Sequence, residues 1–311
     1  MGIALSTAWN AFRHKAGLEI ISEITALGFK EAELSFNLTQ KIVEGIRKET
    51  AAKKIRVLSL HNYCPIPEKL KRSAALPDCY SLASLDQKER AQALRYTKAT
   101  IDTAGSLGAK AVVLHCGRVK VPDRTGDFIK LYNRGEIHTS KALDLKSQAD
   151  KEREKKASFY FAKAVDSLKE LSSYAKKSNI KLGIENRYYF PEIPSFQEFA
   201  LLFDYFKNDN IFYWHDTGHA QLWENLGFIR HEEYLKCYSK RLAGIHLHDI
   251  KGTRDHKAPA TGDFDFRMLK QYIKKDTLLT IEAHHPATAI EIISAKKYLE
   301  KILCTPSGSR Q

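Results

Sequence analysis

The chain has 311 residues, with 50 lysines and arginines against 37 aspartates and glutamates, a formal net charge of +13. At 43% hydrophobic and 28% charged residues it can bury a large core, which excludes a disordered or low-complexity chain. No apolar run approaches the roughly 20 residues of a membrane span, so no membrane is expected among its partners.

The amino terminus enters Gly2-Ile3-Ala4-Leu5 at once, with no basic segment ahead of a long apolar stretch. The five cysteines (Cys64, Cys79, Cys116, Cys237 and Cys304) show no CxxC spacing. An odd, scattered set argues for a reducing compartment rather than a disulfide framework. A cytoplasmic location is the expectation.

In chain order, the first strand is expected at residues 3–7, then a helix at 18–27 stopped by Gly28, then a second strand at 31–35. The third strand is Val57-Leu58-Ser59-Leu60-His61, followed by a long loop over residues 62–84 carrying Pro65, Pro67 and Pro77. The fourth, Ala111-Val112-Val113-Leu114-His115, leads into a second long loop over residues 117–137. Long loops in a compact fold usually serve as lids or pocket walls. Residues 141–177 alternate Lys and Glu with apolar residues at helical spacing, which reads as a helix with a solvated charged face. Four more strands follow: Lys181-Leu182-Gly183-Ile184-Glu185, Phe212-Tyr213-Trp214-His215-Asp216, Leu242-Ala243-Gly244-Ile245-His246 and Leu278-Leu279-Thr280-Ile281-Glu282. Eight strand–helix units in about 300 residues are the count of an α/β, (β/α)8 TIM barrel. One such domain is expected over residues 1–304, with a flexible tail at 305–311.

Six of these strands are short apolar runs of the kind buried on both faces, and all six end on a metal-type side chain. That end of each strand lies on the rim where barrel enzymes build active sites. Glu185, Asp216, His246 and Glu282 close the fifth to eighth strands. Three carboxylates and an imidazole suit one divalent cation: Mn²⁺, Mg²⁺, Co²⁺ or Zn²⁺. Without a cation the three carboxylates would repel one another. His61, His115 and His219 extend the set, either as additional ligands or as groups that touch substrate. Strand alternation turns Asp216 inward and His215 outward. His248 shares the parity of His246 but is expected further out, and His284 and His285 read as solvated. Lys251 and Arg254 follow His246 and are candidates to hold a hydroxyl, carboxylate or phosphate. Trp9 and Phe36 leave the first two strands and are candidates for an apolar wall.

The endings Leu60-His61, Leu114-His115-Cys116-Gly117, Ile184-Glu185-Asn186, Asp216-Thr217-Gly218-His219, His246-Leu247-His248-Asp249 and Ile281-Glu282 resemble the xylose-isomerase-like barrel superfamily. That superfamily holds sugar and sugar phosphate isomerases and epimerases, inosose and dehydroshikimate dehydratases, and apurinic endonucleases of the endonuclease IV type. In its isomerase branch the resemblance implies one metal held by Glu185, Asp216, His246 and Glu282, with Glu185 and Glu282 doubling as an acid/base pair. In its endonuclease branch it implies further zinc at His61 and His115, and at His219 with an Asp-x-His pair. His256 takes that pair's histidine place here, but Arg254 falls on the aspartate's place and Asp255 is one residue out of register. The segment Lys257-Ala258-Pro259-Ala260-Thr261-Gly262-Asp263-Phe264-Asp265 resembles the family's Pro-Gly-Glu-Gly-Asp loop with Ala260-Thr261 for its Gly-Glu.

The activity expected is a metal-dependent sugar, sugar phosphate or polyol isomerase or epimerase. Proton transfer would run through a metal-stabilised enediolate. The alternatives are a zinc-dependent apurinic endonuclease and a dehydratase or lyase on a ketosugar or inosose. The partner expected is a small sugar-like substrate, with nucleic acid the less favoured choice and a homo-oligomer left open.

Overall fold

Every apolar run named above becomes a strand. A computed structural model of the chain describes residues 2–304. Its strands are β1 (Ala4–Ser6), β2 (Glu31–Leu34), β3 (Arg56–His61), β4 (Ala111–Leu114), β5 (Lys181–Glu185), β6 (Ile211–Asp216) and β7 (Leu242–Leu247). A short hairpin of β8 (Asp249–Lys251) and β9 (Arg254–Lys257) follows, then β10 (Leu278–Ile281). β1 to β7 and β10 form a closed, all-parallel barrel in which β10 pairs with both β7 and β1. The protein is therefore a (β/α)8 TIM barrel. The expected tail at 305–311 lies outside the described residues.

The helices are α1 (Gly17–Ala26), α2 (Gln40–Ala51), α3 (Gln87–Leu107), α4 (Thr125–Asn133), α5 (Ser140–Lys176), α6 (Phe196–Tyr205), α7 (Thr217–Asn225), α8 (His231–Tyr238) and α9 (Ala289–Leu299). Their starts follow from capping chemistry. Thr39, Asp86, Thr139, Ser195 and Thr288 each accept a first-turn backbone N–H, and Ser195 and Thr288 do so in capping boxes with Glu198 and Glu291. Among the described residues no helix is long and apolar enough to cross a membrane.

Two expectations change. The segment 117–137 is not all loop, because Phe128 and Leu131 bury against Phe190, Leu222 and Trp223 and draw out α4. The charged face of α5 is not wholly solvated either. Its Lys146 donates to Leu226 O at 2.6 Å, and its buried Arg153 makes a two-pronged ion pair with Glu198 at 2.9 and 2.8 Å. The loop 62–84 is clamped by Arg72, which donates to the carbonyls of Asn37 and His14 at 2.8 Å and to that of Ala11.

Inside the barrel, Trp214 of β6 packs with Ala4, Leu58, Ala111, Val113, Ala243 and Leu278. Its indole fits because the facing positions on β5 and β7 are Gly183 and Gly244. A Cβ on either would meet that ring at 2.7 or 2.4 Å. Trp214 is thus a floor, and Asp216, two residues on along the same face, stands above it.

Candidate active site

Above that floor the strand ends deliver their polar groups inward. Glu185, Asp216, His246 and Glu282 are all buried, and one ligand atom from each lies within 4.8 Å of the others. His246 is the hub. Its Nδ1 stands 2.6 Å from Glu185 Oε1, 2.8 Å from Glu282 Oε2 and 3.8 Å from Asp216 Oδ2. Its ring meets the Trp214 indole edge-on at 5.2 Å. Burial alone would depress the imidazole pKa, but Glu282, Glu33 and Glu185 around it hold it well above its usual value. Burial likewise opposes ionisation of Glu185, Asp216 and Glu282, yet the neighbouring imidazoles, and Arg187 at Glu185, hold all three below the usual carboxylate range.

Two further groups share these carboxylates. On one side are His61, His115 and Glu185. His115 Nε2 stands 2.8 Å and His61 Nε2 3.9 Å from Glu185 Oε2. Burial and the Arg187 guanidinium push the His115 pKa down to about 4. On the other side are Asp216, His219, His248 and His256. His248 Nε2 is 2.8 Å from both Asp216 oxygens, and His219 Nδ1 is 3.4 Å from Oδ1. Asp216 also accepts the backbone N–H of His219 at 2.7 Å, which caps α7. Glu185 and Asp216 therefore link three potential ligand groups in a row.

The donor set fits a divalent cation. Three ionised carboxylates are buried around a single imidazole, and ionised groups are seldom so buried unless paired or metal-bound. Oxygen-rich ligation suits Mg²⁺ or Mn²⁺ at the central group, and the imidazole-rich flanks suit Zn²⁺.

The sequence profile of the xylose isomerase-like TIM barrel family matches residues 21–302. The chain belongs to that family. No curated protein matches it in sequence. Among solved structures, a D-tagatose 3-epimerase-like protein superposes with a TM-score of 0.67 at 17% identity, over 97% of each chain. A 3-keto-D-glucoside 4-epimerase from Escherichia coli gives 0.67 at 14%, over 97% of this chain and 99% of that one. D-psicose 3-epimerase from Clostridium cellulolyticum, solved with D-tagatose, gives 0.66 at 12%, over 97% and 99%.

The segment Arg254-Asp255-His256, where the endonuclease branch carries its Asp-x-His pair, forms the second strand of the hairpin. Arg254 is exposed and pairs across the hairpin with Lys251, which is exposed too; neither joins the convergent groups. Asp255 turns inward instead, with Oδ2 3.0 Å from His256 Nδ1 and 3.9 Å from His219 Nε2. Asp255 in turn holds the His256 pKa up to about 9 against the effect of burial. Trp9 is also buried, donating its indole N–H to Ala287 O at 2.8 Å under a stacked Arg13. Phe36 stands edge-on to His61 at 5.6 Å.

Other expectations are corrected. His248 is not further out: it is fully buried and stacks on His256 at 4.2 Å. His284 is not solvated, since it stacks on the other face of His256 at 3.9 Å, and burial pushes its pKa down to about 3. His285 is exposed, against Phe12. His215 faces out of the barrel as alternation requires, with ring nitrogens 2.7 Å from Tyr213 Oη and 2.8 Å from His231 Nε2.

Two buried charges were not foreseen. Glu33 of β2 lies 3.0 and 3.1 Å from His246 Nε2 and accepts from Ser59 Oγ at 2.7 Å. It fixes the far nitrogen of the hub imidazole, a role carboxylates often play behind metal-bound histidines. Arg187 follows β5 and contacts both Glu185 Oε2 and His115 Nε2. It also lines a cavity of about 550 Å³ with Arg153, Phe190, Trp223 and Phe228. None of the four central residues lines that cavity, so it adjoins the site and is not the site itself.

Proposed function

We propose that the chain is a divalent-metal-dependent isomerase or epimerase of a sugar, sugar phosphate or polyol, working by proton transfer. The observation that carries this reading is the convergence of Glu185, Asp216, His246 and Glu282, with Glu185 and Glu282 meeting the His246 ring at one nitrogen. The epimerases of the same fold support a sugar as the substrate class.

Glu185, Asp216, His246 and Glu282 would hold the ion, which would supply electrostatic stabilisation for negative charge developing on substrate oxygen. The rest falls to the chain's own groups. Glu282 and Glu185 are ionised at neutral pH, so either can take a proton from a carbon beside a carbonyl. Glu282 has His246 as its ion partner, whereas Glu185 is also engaged by His115, His61 and Arg187. Glu282 is thus the freer base, and Glu185 the better held partner, which would return a proton to the carbon only after taking one up from solvent. His61 lies parallel to His246 with ring centres 5.9 Å apart, and its ring meets that of His115 at 4.8 Å, a pairing that supports both as partners for a substrate hydroxyl. All five cysteines are free, in keeping with a cytoplasmic setting.

The test is exchange of solvent deuterium into ketoses and inososes during turnover. Wild type should label the carbon beside the carbonyl, and Glu185→Gln and Glu282→Gln should each slow labelling on the order of 100-fold.

A second reading, hydrolysis of a phosphodiester, is favoured by one observation: the two flanking groups share Glu185 and Asp216 with the centre. Several linked ions can activate water and stabilise a leaving oxygen together. If zinc-loaded protein nicks abasic DNA, with binding that falls steeply as salt rises, while labelling no sugar, this reading replaces the first.

A further inference from the structure

Arg187 is the one arginine among the described residues that touches the convergent groups, and its position is specific. One terminal nitrogen contacts Glu185 Oε2 and lies 2.6 Å from His115 Nε2. These are the atoms that, with His61, make up the flanking ligand group on that side. The other terminal nitrogen donates to Glu192 Oε1 at 3.1 Å. Glu192 is itself fixed, accepting Tyr189 N–H at 2.7 Å, and the Arg187 carbonyl accepts the Trp223 indole N–H at 2.6 Å. The side chain is 6% exposed. This is a buried cation held from behind by a carboxylate and aimed at two ligand atoms.

We propose that Arg187 sets the metal stoichiometry of the site: its guanidinium stands in for an ion at the His61–His115–Glu185 group, so that group takes up no metal while Arg187 is present. The local charge supports this: Glu185 Oε2, the atom that faces His115 and His61, already meets a cation. A second divalent ion on the His115 side would sit against a buried, permanently charged guanidinium, where burial weakens screening of the repulsion. Arginine is suited to the task because it stays charged at any working pH and its planar fork spans two acceptors at once. The consequence is a one-ion centre on this side of the barrel, which favours isomerase chemistry over a row of linked ions. This inference rests on the metal-centre reading above.

The test counts Zn²⁺ per full-length chain by equilibrium dialysis and mass spectrometry. If wild type binds n equivalents, Arg187→Met should bind n + 1, and adding His115→Ala to it should restore n. An unchanged count in Arg187→Met, or an extra ion that survives loss of His115, overturns the proposal. Should Arg187→Met fail to fold by circular dichroism, a His61→Ala, His115→Ala variant with Arg187 intact decides. It should still bind n, and a drop by one means the wild-type flank holds metal and Arg187 does not exclude it. Deuterium labelling by wild type is measured separately. If no sugar is labelled but the counts behave as stated, the isomerase reading fails and the role of Arg187 stands.

Discussion

At the scale of single residues, the outward-facing His215 carries a consequence for stability. His215 and His231 touch through their Nε2 atoms at 2.8 Å in a fully buried pair. Burial pushes the His215 pKa down to about 3, and burial with His215 opposite keeps His231 well below its usual value. Both are neutral in the folded chain, whereas in the unfolded chain each takes a proton near pH 6.5. Their contribution is therefore complete above about pH 6.5 and declines as the pH falls towards the folded values. At pH 5 each such histidine would cost about 2 kcal/mol relative to pH 7. Denaturant melts of wild type should weaken between pH 7 and pH 5, and His215→Phe should flatten that slope even if it lowers the plateau. A slope identical in the two proteins would remove the pair from the account. The same scale shows what a sequence can reveal. Glu185, Asp216 and His246 were legible because each ends an apolar run. Glu33 was not, because Glu31-Ala32-Glu33-Leu34 has no apolar run to mark its end. The signal that was present is two acids at a spacing of two in a fully buried strand, which turns both towards the barrel interior.

At the scale of elements, the eight strands were read from apolar runs with errors of a residue or two, as parallel strands covered on both faces allow. The hairpin β8–β9 was not. It is only nine residues with its turn, seven of them polar or charged, and its effect is tertiary: it folds His256 back so that His248, His256 and His284 stack. No local pattern announces that return. Element packing also sets the floor of the site. Gly244→Ala would place a Cβ 2.4 Å from the Trp214 ring, between neighbours that are themselves buried strand. We expect a loss of roughly 1–3 kcal/mol, the usual cost of overpacking. The Trp214 ring would shift against His246, so metal affinity should fall with stability. Gly126→Ala serves as the control, because a Cβ there meets nothing within 4 Å and the residue lies in α4. That change should be neutral or stabilising by up to about 1 kcal/mol. Equal losses in the two variants would mean that glycine itself, and not the Trp214 floor, is what the fold requires.

At the scale of the whole molecule, charge is sorted radially. The surplus of +13 lies largely on exposed lysines and arginines, while Glu33, Glu185, Asp216 and Glu282 gather inside the barrel mouth. The composition showed the surplus but could not show this sorting, because sequence order places neither sign in space. The interior acids come from β2, β5, β6 and the end of β10, so they reach across the barrel from strands far apart in sequence. An ion bound to the central group would tie β5, β6, β7 and β10 together at the rim, and it would bind the folded chain far better than the unfolded one. Folding stability should then rise with the logarithm of free metal, by about 2.7 kcal/mol at one hundred times the dissociation constant. Thermal melts after exhaustive chelation should show a lower midpoint, restored by Mn²⁺, Mg²⁺, Co²⁺ or Zn²⁺ in an order that reports the preferred ion. Glu282→Gln removes one ligand charge while keeping its shape, so its midpoint should respond weakly to added metal and lie near that of the chelated wild type. If the wild-type midpoint ignores both chelator and metal, the four rim residues are a self-paired polar cluster, and His246 with its carboxylates stabilises the barrel unaided.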